Sequence, residues 1–238
     1  MNNTILNESS LNPDDYKNKP IYEKCCSFVI NLERRPDRLN IFKRKYVHNN
    51  FIDLYLKKAV EGEKQNIPMD KKLKTGEYGC FLSHYEIWKY MKTNSIPYCC
   101  IYEDDVNFTN DYNTKLHRLL KELPDNFNIL YLGGRFEVNH ESKKVSKVTQ
   151  NICKHACDYK GKRWPGYDLD RTTHAYIISL KCATFLCEQI CEQNPIISMK
   201  KPVDFFLIDV LYKHHKMDIF NSQPLIAWSP RIGDSDIR

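Results

Sequence analysis

The stretch CCIYEDDVNFT, residues 99–109, places three consecutive acids directly after a run of apolar and aromatic residues. The apolar run predicts a short buried strand over 98–102. Carboxylates repel one another and resist burial, so three of them anchored at a strand end indicate a positively charged partner. Alternate side chains of an extended segment share a face, which puts Glu103 and Asp105 on one side and Asp104 on the other. Two oxygen ligands at this spacing suit Mg²⁺ or Mn²⁺; the alternative is a solvated turn that helps to cap the next helix.

Strands and helices alternate on both sides of this stretch. Apolar runs predict strands over 25–32, 51–60, 98–102, 127–134 and 173–180. Helical periodicity and helix-start signals predict helices within 36–46, 71–97, 111–124, 181–193 and 202–215. This alternation is typical of an α/β fold with a largely parallel sheet, and such sheets bind ligands at the carboxyl ends of their strands. We therefore expect ligand-binding clusters after residues 32, 102 and 132.

The segment after the first strand is basic. It reads NLERRPDRL, residues 31–39, and its arginines suit a phosphate group or a base edge. The alternative is a solvated face in which Asp37 pairs with a neighbour. The candidate cofactor-binding residues of this segment are Asn31, Leu32, Arg34, Arg35 and Arg38.

A further candidate site lies at the start of the long helix within 71–97. Gly76 and Gly79 permit a close backbone approach there, which favours an anion or a ribose. Ser83 and His84 follow on the same helix. They are either ligand contacts or ordinary polar residues of the helix surface.

Composition narrows the functional classes. The chain has 238 residues, of which 42% are hydrophobic, and a net charge of +6. Its basic residues are scattered, which disfavours nucleic-acid binding. No apolar stretch reaches the ~18–20 residues that span a bilayer, and the polar N-terminal segment contains no signal-peptide core. These features predict a flexible leader over 1–22 and a cytoplasmic chain or one on a cytosolic membrane surface.

Four of the ten cysteines stand in apolar, strand-like pairs, where they behave as small core residues, and nothing in the sequence indicates the oxidising compartment that disulfides require. The CKHAC run at 153–157 has no matching second pair, which disfavours a structural zinc site. Between 135 and 171 the periodic pattern is lost, which predicts a mobile insertion.

Seven short blocks in order resemble glycosyltransferase family 25: VINLERRPDRL, GEYGCFLSHYEIW, IYEDDVNF, LYLGG, HAYIISLKCATFL, PVDFFL and QPLIAWSPRIGDSDI. The resemblance covers nearly all of the chain after residue 25. It implies a single GT-A type, Rossmann-like domain over 23–238, with a mostly parallel central sheet and a variable acceptor-side insertion. It also implies a UDP-sugar donor, a divalent cation (Mn²⁺, or Mg²⁺) and inversion at the anomeric carbon. Galactose is the favoured sugar and glucose the alternative, and the acceptor would be a hydroxyl of a glycan or of collagen hydroxylysine.

The resemblance also assigns site residues. The family's acidic metal motif falls on residues 103–105, so we expect Glu103 and Asp105 to hold the metal, with Asp104 beside the nucleotide or replacing one of them at a bend. The late SD of the family matches Ser235 and Asp236, which makes Asp236 the expected third ligand, with Asp234 as the alternative.

The expected catalytic base is Asp204 in PVDFFL. The alternative for Asp204 is a purely structural acid at a helix N-terminus, and Asp209 is a second candidate for the base. His174 could touch donor or acceptor, or be an ordinary histidine whose hydrogen bonds are satisfied. Tyr131, Gly133 and Gly134 could form the acceptor floor.

Other functional classes remain open at this point. The chain could be a catalytically inactive module that binds a UDP-sugar, a nucleotidyltransferase, or a basic interaction protein. The function of a basic interaction protein would not change when the acidic motif is mutated. A nucleotidyltransferase usually has a glycine-rich loop after its first strand, where this chain has NLERRPDR. A homodimer through the apolar C-terminal helices is a further expectation.

Overall fold

The computed structural model describes residues 5–46, 52–67, 73–134, 145–155, 172–213 and 217–229. The strands are β1 (Leu6–Asn7), β2 (Cys25–Asn31), β3 (Ile52–Lys58), β4 (Tyr98–Glu103), β5 (Asn107–Phe108), β6 (Ile129–Tyr131), β7 (Val145–Lys147), β8 (Ile152–His155), β9 (Ala175–Ser179), β10 (Ile219–Ser222) and β11 (Ala227–Trp228). The helices are α1 (Pro36–Lys45), α2 (Thr75–Asn94), α3 (Tyr112–Glu122), α4 (Leu180–Glu188), α5 (Pro195–Ser198) and α6 (Val203–Lys213). Within these residues no helix combines the length and apolar character that crossing a membrane requires.

One mixed sheet organises the fold, with the strand order β1-β3-β2-β4-β9-β6-β10-β8-β7. Strands β1, β3, β2 and β4 are mutually parallel. Strand β9 runs antiparallel between β4 and β6, while β10 is parallel to β6. A separate ribbon pairs β5 with β11. The predicted α/β class with parallel strands at the core is confirmed, and the carboxyl ends of β2, β3 and β4 meet at one edge.

Both faces of the central strands are covered by helices, which is why their sequences are continuously apolar. Phe28 and Ile101 point into a core that Trp88 of α2 also joins, together with residues of α4 and α6. The next residues along each strand, Val29 and Tyr102, point into the opposite core with α1 and α3. This alternation follows from the two-residue period of a strand.

The N-terminal segment, for which the sequence predicts a flexible leader, packs on the domain in its described part, residues 5–22. Strand β1 adds in parallel to the edge strand β3. Tyr16 is 1% exposed, and its hydroxyl donates to Asp53 Oδ2 at 2.7 Å. Leu11 and Ile21 are also buried. These apolar side chains, scattered in a polar sequence, gain enough burial to hold the segment in place.

The 135–171 stretch, for which the loss of periodicity predicts a mobile insertion, contains regular structure within its described part, residues 145–155. Strands β7 and β8 form an antiparallel pair, and β8 extends the sheet beside β10. Ile152 and Cys153 are buried there. The rest of the stretch lies outside the described residues.

A close backbone contact joins α2 to the segment after β3. A Cβ placed on Gly79 would lie 2.4 Å from the Val60 carbonyl oxygen and 2.8 Å from Gly62 N. The Ser83 hydroxyl accepts from Val60 N at 2.8 Å and donates to the Gly79 carbonyl at 2.7 Å. These contacts set residues 59–63 directly over the first turns of α2.

Replacing Gly79 with alanine tests this packing. Alanine normally stabilises a helix by about 0.5–1 kcal/mol relative to glycine, but here the added methyl clashes with backbone atoms that cannot rotate away. We expect Gly79→Ala to lower the free energy of unfolding by about 2–3 kcal/mol, as overpacking does, measured by chemical denaturation. Ser95→Gly is the control. Ser95 ends α2 at φ 54°, a conformation that glycine adopts freely, so this variant should gain stability. Stabilisation by Gly79→Ala would contradict the close approach.

Candidate active site

A cleft opens at the carboxyl edge of β2, β3 and β4, beside the N-terminal half of α2. Its walls come from four segments of the chain: Ile30, Leu32, Arg34 and Arg38; Ala59, Val60, Glu61, Gly62 and Glu63; Gly76, Gly79, Cys80, Ser83 and His84; and Glu103, Asp104 and Asp105. The three adjacent acids therefore face the same space as two arginines and the glycine-bearing start of α2.

Glu103 is the last residue of β4 and is held from two sides. Its Oε1 accepts from the Thr173 hydroxyl at 2.6 Å and lies 3.3 Å from His84 Nε2. Burial opposes ionisation of this carboxyl, but the hydrogen bonds from His84 and Thr173 outweigh it, so the pKa of Glu103 lies below its ordinary value. Glu103 is therefore a preformed carboxylate.

Asp104 is turned toward the arginine-bearing segment. Its Oδ2 accepts from Asn31 Nδ2 at 2.6 Å, and its Oδ1 lies 3.2 Å from Arg38 Nη1. Asn31 also donates to the carbonyl of Arg35 at 3.0 Å, so it ties the acid to the turn that opens α1. Asn31 thus acts on the cleft through Asp104.

Asp105 carries the least compensated charge of the three. Its Oδ2 accepts from the Ser229 hydroxyl at 3.1 Å and lies 3.7 Å from Arg38 Nη2. Its Oδ1 is buried and finds no hydrogen-bond partner among the described residues. Burial raises the pKa of Asp105 to about 6, the charges of Glu103 and Asp104 add to the rise, and Arg38 opposes it. A buried carboxylate oxygen with no donor is a natural ligand for a cation.

Strand β4 ends at Glu103, so Asp104 and Asp105 lie beyond the strand. Val106 N donates to the Glu103 carbonyl at 3.2 Å, which begins a turn. The alternation of faces therefore stops at Glu103, and Arg38 lies near both Asp104 and Asp105. All three carboxylates reach the cleft, each with different partners.

The other two arginines of the basic segment, Arg34 and Arg35, differ in position. Arg34 lines the cleft with Arg38. Arg35 instead donates to Asp37 through Nε at 3.0 Å and Nη2 at 2.9 Å, the pairing considered above as the alternative. Because this pair holds the guanidinium, Arg35 is absent from the cleft lining in the described structure.

The start of α2 has a mixed role. Gly76 and Gly79 both line the cleft. At Gly79, however, the space that a side chain would fill is taken by backbone atoms of Val60 and Gly62, not left open to a ligand. Ser83 and His84 are fully buried, so neither is a polar residue of the helix surface. His84 Nδ1 lies 2.8 Å from the Tyr176 hydroxyl, which links the cleft to the core.

Asp204 lies at the start of α6, near the cleft but outside its described lining. Its Oδ1 accepts from Phe205 N at 2.8 Å, a helix-start contact. Helix α6 packs on α2 through Phe206 and Phe81, whose ring centroids are 4.8 Å apart. Burial raises the pKa of the Cys80 thiol, and the charges of Glu103 and Asp204 add to that rise, so Asp204 acts electrostatically on a cleft residue.

The other candidates lie elsewhere. Asp209 is ion-paired with Lys201. The His174 ring bonds to the Thr172 hydroxyl, and its backbone carbonyl accepts from Glu103 N at 2.9 Å, so His174 supports the acidic turn. A Cβ on Gly133 would lie 2.4 Å from the Ala227 carbonyl, so this glycine serves packing against β11. Asp234 and Asp236 lie outside the described residues.

The residues 25–207 match the family model described as glycosyltransferase family 25 (LPS biosynthesis protein). The chain belongs to glycosyltransferase family 25. The acidic turn, both cleft arginines and the start of α2 all fall within the matched residues.

Curated family 25 relatives include animal proteins. The chain is 29% identical to human procollagen galactosyltransferase 2 in an alignment 227 positions long that covers 85% of this chain and 33% of the relative. It is 31% identical to procollagen galactosyltransferase 1-A of Xenopus laevis, covering 86% of this chain and 33% of the relative. It is 28% identical to a bovine protein named probable inactive glycosyltransferase 25 family member 3, covering 84% and 36%. The chain thus spans about a third of the length of these relatives.

Solved structures resemble the chain more distantly. A glycosyltransferase involved in the glycosylation of the major capsid of PBCV-1 superposes with a TM-score of 0.43 and 9% identity, over 89% of this chain and 94% of that one. A likeness of this degree adds nothing to the family assignment.

Sequence reasoning missed several residues of this family 25 cleft. Residues 59–63 follow β3, and the carboxyl-end rule that selected the segments after β2 and β4 would have selected them too. Cys80 lies between Gly79 and Ser83 in the sequence but was not among the predicted site residues. Thr173 and Tyr176 carry no sequence signal of their own, since they act by hydrogen bonding to Glu103 and His84 across the fold.

The unequal environments of Asp105 and Glu103 predict opposite effects on stability. Because the pKa of Asp105 is raised from 3.8 to about 6, the folded chain binds this proton more tightly than the unfolded chain, and stability falls as the pH rises through that window. We expect Asp105→Asn to raise the free energy of unfolding by about 1–3 kcal/mol at neutral pH without added metal, and to have little effect below about pH 4.

Glu103→Gln is the matched control. The pKa of Glu103 is lowered, so its ionised form stabilises the folded state at neutral pH, and its replacement should destabilise the chain. Denaturant unfolding in EDTA across this pH range measures both variants. Destabilisation of the chain by Asp105→Asn at neutral pH would show that the charge of Asp105 is already compensated.

Proposed function

We propose that this chain is a metal-dependent, inverting glycosyltransferase that moves a hexose from a UDP-sugar to a hydroxyl acceptor. The single observation that carries the proposal concerns Asp105 Oδ1, which has no hydrogen-bond partner among the described residues and is buried within a cluster of three carboxylates at the carboxyl edge of the sheet. Membership of family 25 supplies the class of reaction. The GT-A type of fold that the resemblance implies accords with the mixed α/β sheet.

The donor cation would be held by Glu103 and Asp105, with Asp236 as the third ligand that the family resemblance implies. Both Mn²⁺ and Mg²⁺ are commonly bound by carboxylate oxygens, so the proposal covers either ion. When bound, the cation supplies positive charge that stabilises the departing diphosphate. Glu103 is ready for this role because His84 and Thr173 keep it ionised.

The nucleotide end of the donor would lie along the basic wall of the cleft. Arg34 and Arg38 offer guanidinium groups that suit phosphate oxygens, and Leu32 offers apolar surface beside them. The backbone of residues 59–63, held over α2 by Ser83, forms the facing wall. A diphosphate would therefore lie between the arginines and the acids, and a cation would offset the negative charge of the acids.

Transfer with inversion is a single displacement. The acceptor oxygen forms a bond to the anomeric carbon while the bond from that carbon to UDP breaks, and UDP departs with the bonding electrons. The acceptor's proton passes to a base, for which we propose the Asp204 carboxylate. Its position at the start of α6, close enough to influence Cys80, supports this role.

The sugar and the acceptor are proposed by analogy. The names of the human and Xenopus relatives support galactose and a collagen-type hydroxyl acceptor. The description of the family model supports a glycan acceptor of the lipopolysaccharide type. Both kinds of acceptor present a hydroxyl, which is the group that the Asp204 mechanism requires.

A catalytically inactive UDP-sugar-binding module is the second candidate, because a bovine relative of similar identity is named as probably inactive. Turnover separates the two candidates. Release of UDP from a panel of UDP-sugars should be measured with Mn²⁺ and with EDTA, first alone and then with hydroxylysine peptides and glycans. Mn²⁺-dependent release that an acceptor stimulates supports the enzyme. Mn²⁺-dependent binding of UDP without release from any donor supports the inactive module.

The acidic cluster should govern metal-dependent nucleotide binding. We expect Glu103→Ala combined with Asp105→Ala to abolish Mn²⁺-dependent binding of UDP in calorimetry, because both proposed ligands are lost, while the cooperative unfolding transition is kept. The double variant Asp14→Ala, Asp111→Ala is the control, since it removes two acids whose side chains are 76% and 56% exposed. Unchanged Mn²⁺-dependent affinity in the first variant would refute the assignment.

The base should affect transfer and spare donor binding. We expect Asp204→Asn to lower the transfer rate by about 10²–10⁴-fold, the range for removing a general base, with the affinity for UDP and Mn²⁺ unchanged. Asp209→Asn, on the same helix but paired with Lys201, should stay near wild type. If the transfer rate of Asp204→Asn stays within a few-fold of the wild-type rate, Asp204 is not the base.

A further inference from the structure

Three potential metal ligands of different chemistry converge at the inner end of the cleft. The Cys80 sulfur, a ring nitrogen of His84 and a carboxylate oxygen of Glu103 all lie within 4.8 Å of one another. Cys80 and His84 are four residues apart, so they project from the same face of α2, and Glu103 approaches from the end of β4. All three residues line the cleft.

The histidine is oriented as a metal-binding histidine would be. Its Nδ1 lies 2.8 Å from the Tyr176 hydroxyl, and that hydroxyl also accepts from Trp88 Nε1 at 3.1 Å. Its Nε2 faces Glu103 Oε1 at 3.3 Å. Metal-binding histidines commonly use one ring nitrogen for the metal and the other for such a hydrogen bond, which fixes the orientation of the ring.

The carboxylate is supported in the same way. The Thr173 hydroxyl donates to Glu103 Oε1 at 2.6 Å and holds the side chain toward α2. The two ligands other than Cys80 are therefore each positioned by a hydrogen bond, buried for His84 and partly buried for Glu103, which is more than a chance meeting of surface groups provides.

We propose that Cys80, His84 and Glu103 form a site for a thiophilic divalent cation, Zn²⁺ or Co²⁺, distinct from the oxygen-ligand cluster around Asp105. A thiolate, an imidazole and a carboxylate together select zinc-like ions over Mn²⁺ and Mg²⁺. Three protein ligands leave a fourth coordination position, which would face the cleft. The Cys80 thiol gives its proton to solvent when its sulfur binds the ion.

The geometry requires a small adjustment. Zinc lies about 2.3 Å from sulfur and about 2.0 Å from nitrogen or oxygen, so tetrahedral ligand atoms lie roughly 3.3–3.8 Å apart. Because the three atoms already lie within 4.8 Å of one another, rotations of the Cys80 and Glu103 side chains that shorten these distances by about 1 Å or less would bring them to that spacing.

Sharing of Glu103 gives the site a regulatory consequence. A zinc ion that takes Glu103 toward α2 removes one ligand from the donor-cation cluster, so zinc would inhibit Mn²⁺-dependent transfer. This consequence rests on the proposed function, whereas the existence of the site does not.

Cobalt titration of the full chain, without nucleotide or sugar, tests the site directly. A thiolate bound to Co²⁺ produces a charge-transfer band in the near ultraviolet, and we expect this band to saturate at one ion per chain. Cys80→Ser should abolish the band and weaken Co²⁺ binding at least about 100-fold. Cys191→Ser is the control, because Cys191 is the other partly exposed cysteine among the described residues. No band in the wild type, or an equal band in Cys80→Ser, overturns the proposal.

Two further measurements do not depend on the folding of the cysteine variant. In the wild type, Zn²⁺ should slow the alkylation of Cys80 but not of Cys191, as measured by peptide mass spectrometry, and Mn²⁺ should protect neither. Tyr176→Phe should weaken Co²⁺ binding by about 10–100-fold while keeping the charge-transfer band, because it removes only the support of His84. Equal alkylation of Cys80 with and without Zn²⁺ would refute the site.

Discussion

Repulsion among three adjacent carboxylates is the constraint on which the rest of this cleft depends. Each acid is compensated by a different part of the fold: Glu103 by α2 and the segment before β9, Asp104 by Asn31 and Arg38, and Asp105 by Ser229 and a distant contact with Arg38. Asp105 is the least compensated of the three, and it keeps one buried oxygen without a partner among the described residues. The surplus negative charge makes the site suited to a cation.

The sheet and α2 make this arrangement possible. Parallel pairing of β2, β3 and β4 brings their three carboxyl ends to one edge. The contact of Gly79 with the segment after β3 draws that segment over the helix, while His84, one helical turn further, reaches from the core to Glu103. A single helix therefore shapes the cleft wall and tunes the charge of the acidic turn.

Glu103 lies between two sets of potential metal ligands. Toward Asp105 its surroundings offer oxygen ligands, and toward α2 they offer sulfur and nitrogen. Hard and soft cations would consequently compete for one carboxylate, and the hydrogen bond from Thr173 holds that carboxylate on the side of α2. The proposed transferase function would use the acidic turn, but it does not by itself account for a cysteine and a histidine directed at the first acid.

Sequence by itself determined the α/β class, the central strands, α1, α2 and the position of the three acids after β4, because apolar periodicity and the helix signals at Pro36 and Pro97 are local properties of the chain. It also placed Arg34, Arg38 and residues 103–105 at strand ends, where parallel strands gather ligands. Tertiary structure alone decided that Arg35 turns away to Asp37, that residues 5–22 pack through Tyr16, and that Thr173 and Tyr176 serve the cleft. These outcomes depend on which side chains meet across the fold, and contacts between residues distant in sequence leave no periodic trace in it.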